Sequence, residues 1–347
     1  MSRLVIPKLA FLLHIPDMYF HYQPILKHLP PGSFDIMLPD EPHPSLLQLL
    51  DQHEYPFAYI SELMESRTMY KYMVSDHLFL QDYKLMQNLG VRHIRIISEL
   101  GFDRLQLGND NRCYDIILSF GRYQINKLNF CSQTNFYPIG WPRLDRWYEG
   151  MNVNLHEILE LLNCDRYRPV LVWMPTWGEL SSIDLYAETL ASLNSRYNIV
   201  VKPHDYTLLE EPERIKLLKD MHFQAVITEP FDDLLLYVAA DYVLADYGGT
   251  PFGSIFTDQR LILLDVPEAF NHPFTGFGSS DVILRNYYPS LDVASHTEDF
   301  VRLIEGPDLW KRGARHNRMR DRVFAPMYGR ASEEAAMILA AAAQLAV

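Results

Sequence analysis

Four apolar runs in the second half of the chain end in residues that can bind or move charge. "VLADYGGT" runs into Asp246, Gly248, Gly249 and Thr250, and "VVKPHD" into Lys202, His204 and Asp205. "VWMPTW" carries Thr176 and Trp177, and "VITEP" carries Thr228 and Glu229. The chemistry these types share is the binding of an anion. Adjacent glycines let a backbone come close to a ligand, and free N–H groups at the start of a helix over Thr250–Phe256 favour negative charge. The Thr250 hydroxyl can donate to a phosphate or cap that helix. A lysine at a buried strand end is costly without an anionic partner, so Lys202 fits a phosphate group. Taken singly, each feature also has a plain structural reading: a glycine turn, or a loop histidine. Their co-occurrence favours an anionic ligand.

Such residues need a frame that brings them together. Short apolar runs alternate with helix-like segments through most of the chain, which implies parallel sheets with helices on both faces. The strand candidates are "KLAFLLHI", "FDIMLP", "PFAYI", "RHIRIIS" and "YDIILSF", then "PVLVWMPT", "NIVVKPH", "QAVITE", "DYVLAD" and "RLILLDVP". Their lack of polar alternation suits burial on both sides. The pattern breaks at "GWPRLDRWYEGMNVN", around Gly140 and Pro142. The expected organisation is α/β, with two doubly wound domains over residues 1–145 and 155–325 and a C-terminal helix over 330–347. Ligands of such sheets bind beyond the carboxyl ends of the strands, where the four groups above would share one rim.

Composition excludes several classes. At 347 residues, 48% hydrophobic and 22% charged, the chain suits a two-domain globular protein. A formal charge of −13 argues against nucleic-acid partners, which need a basic face. No apolar stretch is long enough to span a bilayer, and the N-terminus reads as a first strand. Cys113, Cys131 and Cys164 are too scattered for a disulfide framework or a zinc site, which suits a reducing cytoplasm. His14, His21 and His28 recur every seven residues, which on a helix sets neighbours about 10 Å apart, too far to share an ion. No metal or cofactor is expected.

Five strings in order resemble one family, the CDP-glycerol glycerophosphotransferases of teichoic-acid polymerisation. "GWPRLD" resembles its G-[YF]-P-R-x-D, "VLVWMPTW" its strand ending in A-P-T-W, and "VVKPHD" its [RK]-P-H-P. "FDDLLLYVAADYVLADYGGTPFGSI" resembles its D-x-x-x-L-L…D-Y-S-S segment, and "VFAPMYGRASEEAA" its F-x-x-x-D-G-x-A-[ST]-E-R. The resemblance spans about residues 90 to 335. It implies a GT-B fold, two Rossmann-like domains facing across a cleft, with the donor on the C-terminal domain and the acceptor on the N-terminal one. "RHIRIISELGFD" is similar to the family's W-H-G-T-P-L-K-K-x-G-F-D, and His93 falls on the histidine that serves as general base.

That reading makes His93 the base and His204 a second candidate. Lys202, Asp246, Gly248, Gly249, Thr250, Thr176, Arg143 and Glu229 would hold the donor diphosphate and its surroundings. This chain departs from the pattern in lacking the glycine, threonine and both lysines after His93, in Gly248 and Gly249 for the two serines, in Gly178 after Trp177, and in Asp205 for the second proline of P-H-P. The implied activity is metal-independent transfer of a glycerol-phosphate or glycosyl group from a CDP- or UDP-linked donor to a glycan or polyol-phosphate acceptor. A nucleotide-sugar transferase of capsule or lipopolysaccharide synthesis, an epimerase and an inactive scaffold are the other readings. The aromatic residues Tyr70, Tyr72, Tyr83, Trp141, Trp147 and Trp177 are core or stacking candidates. The family also implies peripheral contact with the inner face of the cell membrane, while the alanine-rich tail reads as a core-packing helix. A homo-oligomer is left open.

Overall fold

All strand pairs among the described residues of the computed structural model, which are 4–76, 83–151, 153–306 and 314–344, are parallel. They form two sheets in two units. One unit comprises Met1–Ser98, Leu107–Glu149 and Asp321–Val347; the other comprises Glu99–Gln106 and Gly150–Arg320.

The first unit holds a seven-stranded sheet of β1 (Leu4–Leu12), β2 (Phe34–Leu38), β3 (Phe57–Tyr59), β4 (Thr68–Ser75), β5 (Gly90–Ile96), β6 (Ile116–Ser119) and β7 (Asn135–Pro138). Its order is β3-β2-β1-β4-β5-β6-β7. The second unit holds a six-stranded sheet of β8 (Val170–Trp173), β9 (Asn198–Val201), β10 (Ala225–Val226), β11 (Tyr242–Ala245), β12 (Leu261–Leu264) and β13 (Ser290–Leu291). Its order is β10-β9-β8-β11-β12-β13. Both are doubly wound. The direction of winding reverses between β1 and β4 in one and between β8 and β11 in the other, the positions where such sheets take ligands.

The apolar runs became strands because burial on both faces leaves no polar side to present. Every residue of β8, β9, β11 and β12 is buried. Leu171, Trp173, Ile199, Val201, Leu244 and Ile262 share one core cluster with Tyr186, Leu190 and Phe300 of the covering helices. β4, β7 and β13 lie outside the apolar runs singled out in the sequence. β4 is central, pairing with both β1 and β5, yet it opens on Thr68 and carries Lys71 between Tyr70 and Tyr72, so its apolar signal is interrupted.

The "GWPRLD" and "GRASEE" strings meet inside the first unit. Gly140 adopts φ +82, which turns the chain after β7, and Trp141 stacks on Phe324 with centroids 5.7 Å apart. The Asp145 carboxylate accepts N–H bonds from Ala331 at 3.1 Å and Ser332 at 2.6 Å, and the Ser332 hydroxyl at 2.6 Å. It therefore caps the helix Ala331–Ala343, whose Ala335 and Leu339 are fully buried and which packs against the helix Pro16–Leu26. No helix among the described residues is long and apolar enough to cross a membrane.

Removing the cap exposes the cost of three unmade bonds. Asp145→Ala should destabilise the protein by about 2–3 kcal/mol, read as a lowered midpoint in urea unfolding. An unchanged midpoint would mean that another group caps this helix.

Candidate functional site

Asp246 follows β11 directly and is fully buried. Its carboxylate accepts N–H bonds from Thr176 at 2.9 Å, Ser182 at 2.8 Å and Tyr247 at 2.8 Å, and the Ser182 hydroxyl at 2.7 Å. Thr176 and Ser182 belong to the loop after β8, so Asp246 joins the ends of the two strands that flank the reversal point. Burial pushes its carboxyl above the usual range, and the hydrogen bonds from Ser182, Thr176 and Tyr247 pull against that shift. Asp246 and the buried Thr176 amide are thus spent on building the corner.

The other strand-end residues line up beside it. The order β10-β9-β8-β11 sets Thr228 and Glu229, Lys202 and His204, Thr176 and Trp177, and Gly248 to Thr250 along one edge of the sheet. Lys202 Nζ lies 3.5 Å from Asp233 and 3.8 Å from Asp205, so its charge is already met by two carboxylates. His204 caps the helix Asp205–Glu210 by accepting the Tyr206 N–H on Nδ1 at 3.1 Å, and its ring stacks on Tyr206. With Nδ1 accepting, the proton of the neutral ring sits on Nε2. Trp177 packs against His204, Tyr206 and Phe274, giving the edge an aromatic wall. Glu229 is exposed, and Thr250 opens the helix Thr250–Phe256 as expected.

The Gly248–Gly249 corner is not open backbone. The short segment Glu99–Gln106, which belongs to the second unit, lies against it. Glu99 Oε1 accepts the Gly249 N–H at 2.8 Å. A Cβ on Gly248, which has φ +89, would stand 2.8 Å from that oxygen, and a Cβ on Gly101, which has φ +87, would stand 2.6 Å from the Gly248 carbonyl oxygen. The segment is clasped reciprocally. Phe102 N–H donates to Asp281 at 3.0 Å, while Ser280 gives its N–H at 3.1 Å and its hydroxyl at 2.6 Å to Asp103. Arg285 lies 3.8 Å over the Tyr247 ring and binds Asp265 and the carbonyls of Asp246, Leu264 and Asp281. Nothing in the spacing of the sequence marks Glu99, because its partner lies 150 residues away.

Two predicted residues lie in the first unit, apart from this edge in the chain. His93 sits inside β5, three residues before its end, and is 7% exposed. Its backbone N–H donates to Asp115, its Nδ1 is buried without a hydrogen bond, and burial lowers its pKa against the pull of Asp115. Arg143 is buried on Asp17, with both terminal nitrogens at 2.9 Å from the carboxylate and one at 2.9 Å from His21 Nε2. At the reversal point of this first sheet a different polar cluster appears. His14 lies 3.9 Å from Asp76, the Tyr114 hydroxyl donates to the Asp76 carbonyl, and the fully buried Arg95 guanidinium donates to Asn111. Arg95 was hidden in the sequence because it alternates with isoleucines in a strand. Among the described residues, no group of three His, Cys, Asp or Glu side chains is placed to hold a metal ion.

A family model described as CDP-Glycerol:Poly(glycerophosphate) glycerophosphotransferase matches residues 63–262, more than half of the chain. No curated protein matches the sequence. Among solved structures, Wall Teichoic Acid Polymerase TagF soaked with CDPG is similar at 15% identity, covering 98% of this chain and 90% of that one with a TM-score of 0.65. An S. aureus MnaA–UDP co-structure is 11% identical, covers 98% of both chains and has a TM-score of 0.64. A UDP-N-acetylglucosamine 2-epimerase is 11% identical over 98% of this chain and 96% of that one, with a TM-score of 0.58. At these identities the likeness speaks for the fold, which is of the GT-B class over both units.

Asp281 offers a test of the clasp. Burial, with Asp103 nearby, raises its carboxyl from 3.8 to about 6 against the hydrogen bond from Phe102. The folded protein therefore holds this proton more tightly than the unfolded chain. The contribution of Asp281 to stability is greatest below about pH 4 and is lost as pH rises through about 6. Between those values the melting temperature of Asp281→Asn should depend less steeply on pH than that of the wild type. Parallel curves would assign the titration elsewhere.

Proposed function

The chain belongs to the CDP-glycerol:poly(glycerophosphate) glycerophosphotransferase family and is a transferase, and from this premise we propose that it moves a polyol-phosphate group from a CDP- or UDP-linked donor to a hydroxyl of a cell-surface polymer or glycan. The observation that carries the reading is the shared edge of the second sheet, where Lys202, His204, Thr250 and the aromatic wall follow adjacent parallel strands. The donor base stacks beside Trp177 and Tyr206, whose rings are 5.0 Å apart, as flat apolar surfaces suit a nucleobase. The diphosphate lies along Lys202, His204 and Thr250.

In the reaction an acceptor hydroxyl oxygen attacks the β-phosphorus of the donor. The bond from that phosphorus to the bridging oxygen breaks, the nucleoside monophosphate leaves, and the hydroxyl proton passes to a base. Catalysis is positioning together with stabilisation of charge on the phosphoryl oxygens. His204 supports the second part, since a proton on Nε2 makes it a donor towards those oxygens. Burial lowers the pKa of His93, so its ring is neutral at pH 7, as a base requires. Its site within β5 argues for a structural role in the strand. We propose that no resident metal takes part, and that the acceptor is met at the inner face of the membrane.

A second reading, a nucleotide binder without turnover, is favoured by Ser98 and Glu99, which stand where the family string carries lysines.

Purified protein should gain thermal stability with CDP or UDP compounds from a panel of CDP-glycerol, CDP-ribitol, UDP-sugars and GDP-sugars. Stabilisation by none of them would sink the donor reading, and stabilisation without turnover would favour the binder. His204→Asn, which keeps an acceptor for the helix cap, should lower kcat/KM for the donor by about 10²–10³-fold. An unchanged kcat/KM would remove His204 from the mechanism. His93→Ala should lower the melting temperature and leave kcat/KM within about tenfold, whereas a general base lost there would cost about 10²–10⁴-fold.

A further inference from the structure

We infer that the amino-terminal rim of the second sheet carries a second binding site, away from the donor edge, for a neutral hydroxyl-bearing ligand of the saccharide or polyol class. The inference goes beyond the donor reading above and does not depend on it.

The site is a cavity of about 430 Å³ within the second unit, a volume in the range of small-molecule sites. Tyr197, Tyr242 and Arg260, at or just before the starts of β9, β11 and β12, line it together with Ile304 and Glu305, which end the helix Thr297–Glu305. β8, β9, β11 and β12 are four residues long, so about 13 Å of strand separates this rim from the residues that follow the carboxyl ends. Two buried tyrosines make its frame. The Tyr242 hydroxyl donates to the Ile304 carbonyl at 2.8 Å and accepts an N–H of Arg260 at 3.3 Å, while that guanidinium lies 5.3 Å from the centre of its ring. The Tyr197 hydroxyl donates to Glu305 Oε1 at 2.6 Å, beside the N–H that Arg196 gives the same oxygen at 2.7 Å. Burial, with Glu305 alongside, pushes the Tyr197 pKa up to about 12, which keeps the proton in that bond.

The polar heads around the cavity fit one kind of ligand. Its charged residues are Arg196, Arg260, Asp241 and Glu305, all exposed. Arg260 has no carboxylate partner among the described residues, and Asp241 spends one oxygen on the Val170 N–H at 2.8 Å. Glu305 takes both of its side-chain bonds on Oε1. Guanidinium donors and carboxyl acceptors therefore face one space, two residues of each type. A phosphate only accepts, and would meet Asp241 and Glu305; an ammonium only donates, and would meet the two guanidinium groups. Neighbouring hydroxyls of a sugar or polyol both donate and accept and carry no charge, so they use all four heads. The match holds in either protonation state of the acids, since a carboxyl and a carboxylate both hydrogen-bond a hydroxyl.

The test is TROSY NMR titration of the full chain with glycerol, N-acetylglucosamine, maltotriose, inorganic phosphate and glycine. The hydroxyl-bearing probes should shift the backbone signals of Arg196, Tyr197, Asp241, Tyr242, Arg260 and Glu305 with a Kd of roughly 1 mM, as a few hydrogen bonds in an open site give. Tighter binding of maltotriose than of N-acetylglucosamine would support the inference with a glycan chain as the source, and binding of glycerol alone would support it with a free polyol. Arg260→Met and Asp241→Asn, the second keeping an acceptor for Val170, should melt with the wild type and each weaken the binding about tenfold. Lys202→Gln, at the opposite end of the strands, should leave it unchanged. No shift at these residues with any of the three hydroxyl-bearing probes would overturn the inference. Equal or tighter binding of phosphate or glycine there would also overturn it, by making the site one for ions, and so would loss of the binding in Lys202→Gln. None of these results touches the donor reading, whose failure is read in the CDP and UDP panel.

Discussion

A single buried carboxylate, that of Asp246, holds the candidate functional edge together. The reversal between β8 and β11 leaves two strand ends side by side with their following loops diverging, and the backbone N–H groups of those loops have no sheet partner. Asp246 collects three of them and one hydroxyl, from Thr176, Ser182 and Tyr247. Charge-assisted hydrogen bonds of this kind are among the stronger ones, and here they offset part of the desolvation of a fully buried acid. The position of Trp177 and the path of Tyr247 into Gly248 both depend on this contact.

The same device recurs. Asp145 takes the N–H and hydroxyl of Ser332, and Asp103 takes the N–H and hydroxyl of Ser280. In each case an aspartate far away in sequence captures both groups of one serine near the start of a helix. The pairing is geometrically demanding, since two acceptor lone pairs must match two donors on one residue. It ties a loop to a helix start more specifically than an apolar contact could. The three clasps fix the tail helix, the reversal point and the Glu99–Gln106 segment.

Charge sets the character of the edge. Lys202 is balanced by Asp205 and Asp233, and the Gly249 amide by Glu99. The family's pattern of lysines and serines is replaced here by glutamate and glycines that contact one another. The corner is thus built from two loops, the one after β5 that carries Glu99 and the one after β11 that carries the glycines.

The sequence by itself determined the parallel α/β organisation, because apolar runs alternating with helical segments have no other economical packing. It also determined which strand ends carry polar residues, and the helix start at Thr250 after two glycines. Tertiary structure alone decided what those residues touch. Arg143 pairs with Asp17 and His21, and His93 lies inside β5, and neither placement is visible in the spacing of the sequence. β4 was hidden because Lys71 and Thr68 interrupt its apolar signal although it lies at the centre of its sheet. Position 99 stands out in the sequence only as a departure from the family's lysine, and its contact with Gly249 across 150 residues leaves no periodicity or spacing behind. The reason is physical: local pattern records which face of an element is buried, whereas the partner of a charged group is chosen by the packing of the whole unit.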